Sequence, residues 1–212
     1  QGDRYRMDVE LRNNAISHIT TQGATRIYKM ESNYATHMVT LNLKNNSYLE
    51  FIPEQIIPYK NSRFYQKTNL KIDDSSTVVY SETIVPGRIA MGEMFDFDLC
   101  YLKTEGKMND RVQFRDSSLL SPKTQKIQSL AMFDDKTILT SVYILTKKHV
   151  TKVNDMINEL FSHTQNISGG SSILPNDSGI SIRILGNSSE DQKTTIYEIL
   201  KIIRKEILPE YL

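Results

Sequence analysis

Carboxylates and one arginine crowd a stretch in the middle of the chain, Ser81-Glu82-Thr83-Ile84-Val85-Pro86-Gly87-Arg88-Ile89-Ala90-Met91-Gly92-Glu93-Met94-Phe95-Asp96-Phe97. Proline presets φ and glycine tolerates φ > 0, so Pro86-Gly87 turns the chain. Two chemistries fit what surrounds the turn. Arg88 can tie Glu82 or Glu93 across it as an internal ion pair, in which case Arg88 is expected to be largely buried. Alternatively, the carboxylates line a path for a cation or face a partner surface. The remaining titratable groups offer less. His18 and His37 fall on strand segments and are candidates for proximity. His149 and His163 sit at opposite ends of one predicted helix, where 14 residues at 1.5 Å rise hold them about 21 Å apart, too far to share a metal. Cys100 reads as a buried, inert thiol. The sequence contains no G-x-x-x-x-G-K-[ST] loop, no H-E-x-x-H, no C-x-x-C and no G-x-S-x-G. Nothing assembles into a nucleophile, a base and an oxyanion hole.

The elements that must hold these groups are mostly strands. Tyr5, Met7, Val9 and Leu11 alternate with Arg4, Arg6, Asp8 and Glu10, the pattern of a half-buried strand that Asn13-Asn14 turns. One phrase then recurs at intervals of about 30 residues: Leu11-Arg12-Asn13-Asn14-Ala15, Leu43-Lys44-Asn45-Asn46-Ser47 and Ile72-Asp73-Asp74-Ser75-Ser76. An alternating strand precedes each copy and another follows it, so a unit is two strands and a corner, then a loop. Stacked units of this kind bury one continuous core. If the copies stack in register, residues ten or eleven past each anchor align Gln22, Glu54 and Glu82, with Glu93 one strand away. Buried carboxylates are costly unless paired. The row therefore needs Arg26, Arg63 or Arg88, or else a wet interior that passes a divalent cation without trapping it.

Further along, Met94 to Tyr101 is expected as a strand with Phe95, Phe97, Leu99 and Tyr101 on one face. Val112 to Arg115 is expected as another. Thr137 to Leu145 is apolar on both faces and should lie centrally, covered on both sides. The period then changes. Val150, Val153, Ile157, Leu160 and Phe161 mark an amphipathic helix over about 148–163, and Ser168 to Ser172 reads as a loop. Ile180, Ile182 and Ile184 make one short strand. Ser189 and Gln192 resemble a capping box that opens a helix over 189–207, with Pro209 just beyond its end. The fold class is thus mainly β, a two-layer β-helix-like (solenoid) stack of strands with two C-terminal α-helices. Residues 1–212 read as one domain, with a β body over 1–147 and an α/β segment over 148–212.

Composition limits the partners. The 212 residues carry 24% charged and 39% hydrophobic side chains and a formal net charge of +1. This gives no electrostatic case for nucleic acid or an anionic membrane. No run of about 18 apolar residues occurs. The single cysteine fits a reducing compartment, and a cytoplasmic location is expected.

Three ordered blocks resemble the UreD/UreH family of urease accessory proteins. The central stretch matches its S-E-T-I-V-P-G-R-x-A-x-G-E-x-F-x-F signature. Thr20 to Lys29 matches T-T-Q-x-A-T-[RK]-x-Y-[RK], and Leu49 to Tyr59 matches L-E-[FWY]-x-P-[DE]-x-x-I-P-[FY]. Gly2-Asp3 matches the end of a G-G-D turn. The structural signature so carried is Thr21, Gln22, Thr25, Arg26, Tyr28, Pro53, Pro58, Pro86, Gly87, Arg88, Gly92 and Glu93. The resemblance implies further strands before Gln1, and we expect residues to precede it. It also implies a non-enzymatic factor that binds urease apoprotein and a UreF-like accessory protein. Through that protein it would meet a UreG-like GTPase that supplies nickel. GTP then belongs to the partner, and no cofactor is bound stably here. Gln22, Glu54, Glu82 and Glu93 become a transient nickel path, since oxygen-only sites hold nickel weakly and suit transfer. A carbohydrate-active β-solenoid enzyme is the alternative, with Glu82 and Glu93 as acid and base, although the chain has no Trp for sugar stacking. A structural β-repeat interaction protein is the third reading.

Overall fold

The computed structural model describes residues 2–208. Three coils wind in parallel. β1 (Arg4–Leu11), β2 (Ile16–Ile19) and β3 (Thr25–Ile27) make the first coil. β4 (Ala35–Leu43), β5 (Tyr48–Phe51) and β6 (Ile56–Pro58) make the second, and β7 (Arg63–Ile72) and β8 (Thr77–Ile84) the third. A hairpin of β9 (Leu99–Met108) and β10 (Arg111–Leu120) follows, then β11 (Ile138–Leu145), α1 (Val150–His163), β12 (Ile167–Ile173), β13 (Gly179–Gly186) and α2 (Ser189–Ile207). One sheet has the order β1, β4, β7, β9, β10. The other has the order β12, β13, β11, β8, β5, β2, and β3 pairs with β6 at its corner.

The repeated phrase sets the register. Leu11 pairs with Leu43, Leu43 with Ile72 and Ile72 with Met108, all buried. The asparagines form the corner of each coil. Asn13, Asn14, Asn45 and Asn46 all adopt the left-handed conformation that asparagine tolerates best among residues with a side chain. Their side chains ladder between coils, Asn45 Nδ2 donating to Asn13 Oδ1 and Asn46 Nδ2 to Asn14 Oδ1, each at 3.0 Å. On the third coil Asp74 and Ser75 stand at these positions, and the side chains of Asp73 and Ser75 accept from the Asn45 N–H at 2.7 Å and the Asn46 N–H at 2.8 Å.

Between the sheets lies one apolar core that includes Leu41, Leu43, Leu70, Val78 and Leu145. A second core forms where α1 and α2 cover the outer face of the second sheet, built from Val79, Val142, Ile157, Ile182, Ile199 and their neighbours. β11, between β8 and β13, therefore has both faces covered, as its two apolar faces require.

Four local expectations need correction. Met94 to Asp98 is not strand, because Phe95 takes a positive φ of 55° and breaks the extended run. This shifts the phase of β9, so Cys100 and Leu102 point inward in place of Leu99 and Tyr101. The Ser168 to Ser172 loop is part of β12. A Cβ on Gly169 would lie 2.3 Å from the Phe161 ring, so its glycine lets α1 lie on the strand and does not mark a break. The strand expected over Val112 to Arg115 extends to Arg111–Leu120. Finally, Ser188, and not Ser189, caps α2, its Oγ accepting from the Asp191 N–H at 3.2 Å. Pro209 lies outside the described residues.

Candidate functional site

Moving along the inward rows away from the Leu11 corner, the core turns polar. Val9, Leu41 and Leu70 share one level; Met7, Val39 and Thr68 the next; Tyr5, His37 and Gln66 the third. On the facing sheet, Phe51, Tyr80 and Tyr143 are register partners and stack at 6.0 and 6.2 Å. Glu82 is the next inward residue on β8. It borders a cavity of about 310 Å3, together with His37, Gln66, Tyr80, Glu54 and apolar residues such as Val39, Phe51 and Phe64.

Gln66 is the hub of this end. Its Nε2 donates to the Tyr80 hydroxyl at 3.0 Å and to Glu82 Oε2 at 3.3 Å. Its Oε1 lies 3.1 Å from His37 Nδ1. Tyr80 also accepts from Thr68 at 3.1 Å and donates to Glu82 Oε2 at 3.0 Å. Glu82 is 4% exposed and has no ion-pair partner among the described residues. Burial pushes its carboxyl up to about 7, against the hydrogen bond from Tyr80. Burial likewise holds His37 below its ordinary value, opposed by Gln66. Cys100 is fully buried, which pushes its thiol up and makes it unreactive.

Glu54 reaches the same cavity from the corner after β5. Its N–H donates to Thr21 Oγ1 at 2.9 Å, and its carboxylate takes Lys193 of α2 at 2.8 Å. A second pocket, of about 80 Å3, lies under α2 and shares Pro53, Glu54 and Thr83 with the first.

The expected row of four is only half assembled. The corner runs six steps from Ile19 to Thr25, five from Phe51 to Ile56 and four from Tyr80 to Ile84, although the flanking residues are in register. The surplus pushes Gln22 out to solvent, where it borders neither cavity, while the shortest corner keeps Glu82 in a continuous strand. Glu93 belongs elsewhere. It accepts from Arg88 Nε at 2.9 Å and from the Lys60 N–H at 3.2 Å, at a surface pocket with Tyr28 and Tyr59. Arg88 thus has its expected carboxylate partner, but it is 36% exposed and not largely buried. Its guanidinium lies 4.0 Å over Tyr59, which meets Tyr28 edge-on at 5.1 Å. Gly87 turns this corner at φ 137°, and a Cβ there would lie 3.0 Å from the Glu93 carbonyl oxygen. Glu82 and Glu93 border different cavities, so the acid and base of a glycosidase reading are not brought together. Arg63, another expected partner, holds Asp98 at 2.9 Å. His18 and His37 lie on different sheets.

The residues missed from sequence are Gln66, Tyr80 and Lys193. The first had a signal: six positions before each anchor stand Tyr5, His37 and Gln66, one register row. Lys193 had none, since it is 139 residues from Glu54.

A family model described as UreD urease accessory protein matches residues 1–211. The urease accessory protein UreD of Cenarchaeum symbiosum is 35% identical, over 98% of this chain and 73% of its own. UreD 2 of Brucella canis is 35% identical over 99% of this chain and 72% of its own. UreD of Yersinia pseudotuberculosis is 32% identical over 98% and 66%. The match runs nearly the whole length of the chain, and the chain belongs to the UreD family of urease accessory proteins.

Proposed function

We propose that this chain is a non-catalytic scaffold in urease maturation, working in the cytoplasm. It binds urease apoprotein on one surface and a UreF-like protein on another, and a UreG-like GTPase brings nickel and GTP to the assembly. The chain holds no cofactor of its own, and nickel passes along its interior as cargo. Family membership over nearly the whole chain supports the maturation role. The observation that carries the route is that Glu54 and Glu82 border one cavity, whose wall of Pro53, Glu54 and Thr83 also faces the pocket under α2. Carboxylate oxygens bind nickel weakly, which favours transfer over storage. No helix among the described residues is long and apolar enough to cross a membrane.

The test has two arms. The purified chain is mixed with its UreF-like partner and run on size exclusion, where a stable complex is expected. Glu82→Gln is then assayed for urease activation. Activation should fall while complex yield holds and the melting temperature does not drop, because Gln keeps the volume and removes the charge. A chain that forms no complex overturns the scaffold. Activation that falls only in step with folding overturns the route.

A further inference from the structure

Two acceptor atoms at the polar end of the interior have no donor among the described residues. His37 Nε2 is buried and has no hydrogen-bond partner among the described residues. The Gln66 amide determines the tautomer. Its Nε2 donates to Tyr80 and Glu82, so its Oε1 is the acceptor facing His37, and His37 Nδ1 carries the proton. The imidazole lone pair is therefore on Nε2. Among the described residues, donors reach Glu82 on Oε2 alone, from Gln66 and Tyr80. Imidazole and carboxyl are thus tied by their other atoms to the two ends of one amide, and both residues line the same cavity.

We propose that His37 Nε2 and Glu82 Oε1 form a two-residue binding site for a first-row transition dication, with water completing its coordination. The proposal rests on the nickel-route reading and alters it at one point. A neutral imidazole nitrogen is a better donor for nickel than carboxylate oxygen, so the ion has a stopping place along the route. No cluster of three or more His, Cys, Asp or Glu that could hold a metal occurs among the described residues. Two protein donors bind weakly enough to release the ion. Gln66 is the outer partner that fixes the imidazole orientation, as carbonyl and carboxylate groups do behind metal-bound histidines. The cavity of about 310 Å3 leaves room for an ion that keeps most of its water.

The full chain is titrated with nickel chloride by calorimetry, and a 15N-histidine-labelled sample is titrated with cobalt(II) as a paramagnetic probe. Cobalt should shift the His37 resonance first, an observation that needs no variant. His37→Gln and Glu82→Gln should each weaken nickel binding at least roughly tenfold, the scale on which loss of even an outer partner acts. His18→Gln, whose ring bonds Glu50 instead, should leave it unchanged. Melting curves on the same samples check folding. Cobalt acting on His18, His149 or His163 in place of His37, or equal nickel affinity in parent and both variants, overturns the site and leaves a cavity that holds only water. Urease activation is read separately. Lost binding with normal activation keeps the site and sinks the route, whereas lost activation with unchanged binding does the reverse.

Discussion

Two buried glutamates on adjacent strands have opposite fates. Glu50 on β5 is 1% exposed and Glu82 on β8 is 4% exposed. Glu50 points outward beneath α2, where it takes Arg204 at 2.8 Å, the Tyr48 hydroxyl at 2.7 Å and His18 Nδ1 at 2.6 Å. Burial pushes its carboxyl up, but the hydrogen bonds from Arg204, Tyr48 and His18 together overcome this and hold it below its ordinary value. Glu82 points inward between the sheets, where only neutral groups donate to it, and its carboxyl rises to about 7. The difference lies in what each face can reach. A helix packed on a sheet brings long cationic side chains from its own polar flank, whereas the space between two sheets admits only what the strands supply. Glu50 is a fastening for α2. Glu82 keeps an open oxygen at a cavity.

The largest expected effect breaks this contrast through pH. Glu82 has a folded value of about 7, above an ordinary value near 4.5. A carboxyl raised on folding favours the folded chain fully below its unfolded value. That contribution is lost as pH rises through the folded one, a change on the order of 3 kcal/mol between about pH 4.5 and 8. Urea unfolding of parent and Glu82→Gln at both pH values should therefore show the parent losing that much relative to the variant. Equal pH dependence in parent and variant would mean that Glu82 titrates in the folded chain as it does in the unfolded one.

Arg204→Met comes next. It leaves a buried carboxylate with only Tyr48 and His18. Breaking a fully buried pair costs about 3–5 kcal/mol. Arg204 is 39% exposed, so solvent already screens the interaction, and about 2 kcal/mol is expected in urea unfolding at pH 7. The sign with pH is opposite to that of Glu82. Glu50 is held low, so its contribution is present above about pH 4.5 and lost as pH falls through its folded value. The variant should show less of that acid loss. An unchanged midpoint at pH 7 would show that the two remaining donors suffice. Tyr80→Phe is smaller. It keeps the ring stacked between Phe51 and Tyr143 and removes one hydroxyl, at a cost of about 1 kcal/mol. A double-mutant cycle with Glu82→Gln should give a coupling energy of similar size, and zero coupling would disconnect Tyr80 from Glu82.

Much of the fold was legible because it repeats. Leu11, Leu43 and Ile72 are register partners, and the Asn corners ladder, because a solenoid converts sequence period directly into contact. The two helices were legible from their 3.6-residue spacing. The site was legible only where the coils keep equal length. Counting backward from the anchors stays within straight strands and would have found His37 and Gln66. Counting forward crosses a corner that shortens from coil to coil, which separates Gln22 from Glu82. Tyr28-Lys29 and Tyr59-Lys60 recur on two coils and mark that corner's own stack, which continues to Arg88. Lys193 and Arg204 were invisible because α2 meets the solenoid through tertiary packing, with no local spacing to reveal it.

The smallest expected effect lies at Arg88, where a short sequence motif suggested a buried ion pair and the structure has a surface one. The guanidinium donates to both carboxylate oxygens of Glu93 and stacks on Tyr59, but water reaches it. Removing it strands nothing, because Glu93 still accepts from the Lys60 N–H. The turn itself is held by the backbone, with Phe95 N–H donating to the Pro86 carbonyl at 2.7 Å and Gly92 N–H to that of Ile89 at 2.9 Å. Arg88→Ala should therefore leave the global unfolding midpoint closer to the parent than any variant above. Its effect should appear locally, as faster amide hydrogen exchange over residues 86–96, since an exposed corner can open without unfolding the coils beneath it. Arg88→Lys should resemble Ala more than Arg, because an ammonium reproduces neither the fork nor the stacking. A drop in global stability as large as that of Arg204→Met would instead make the corner part of the cooperative core, and Arg88 a counterpart of Arg204.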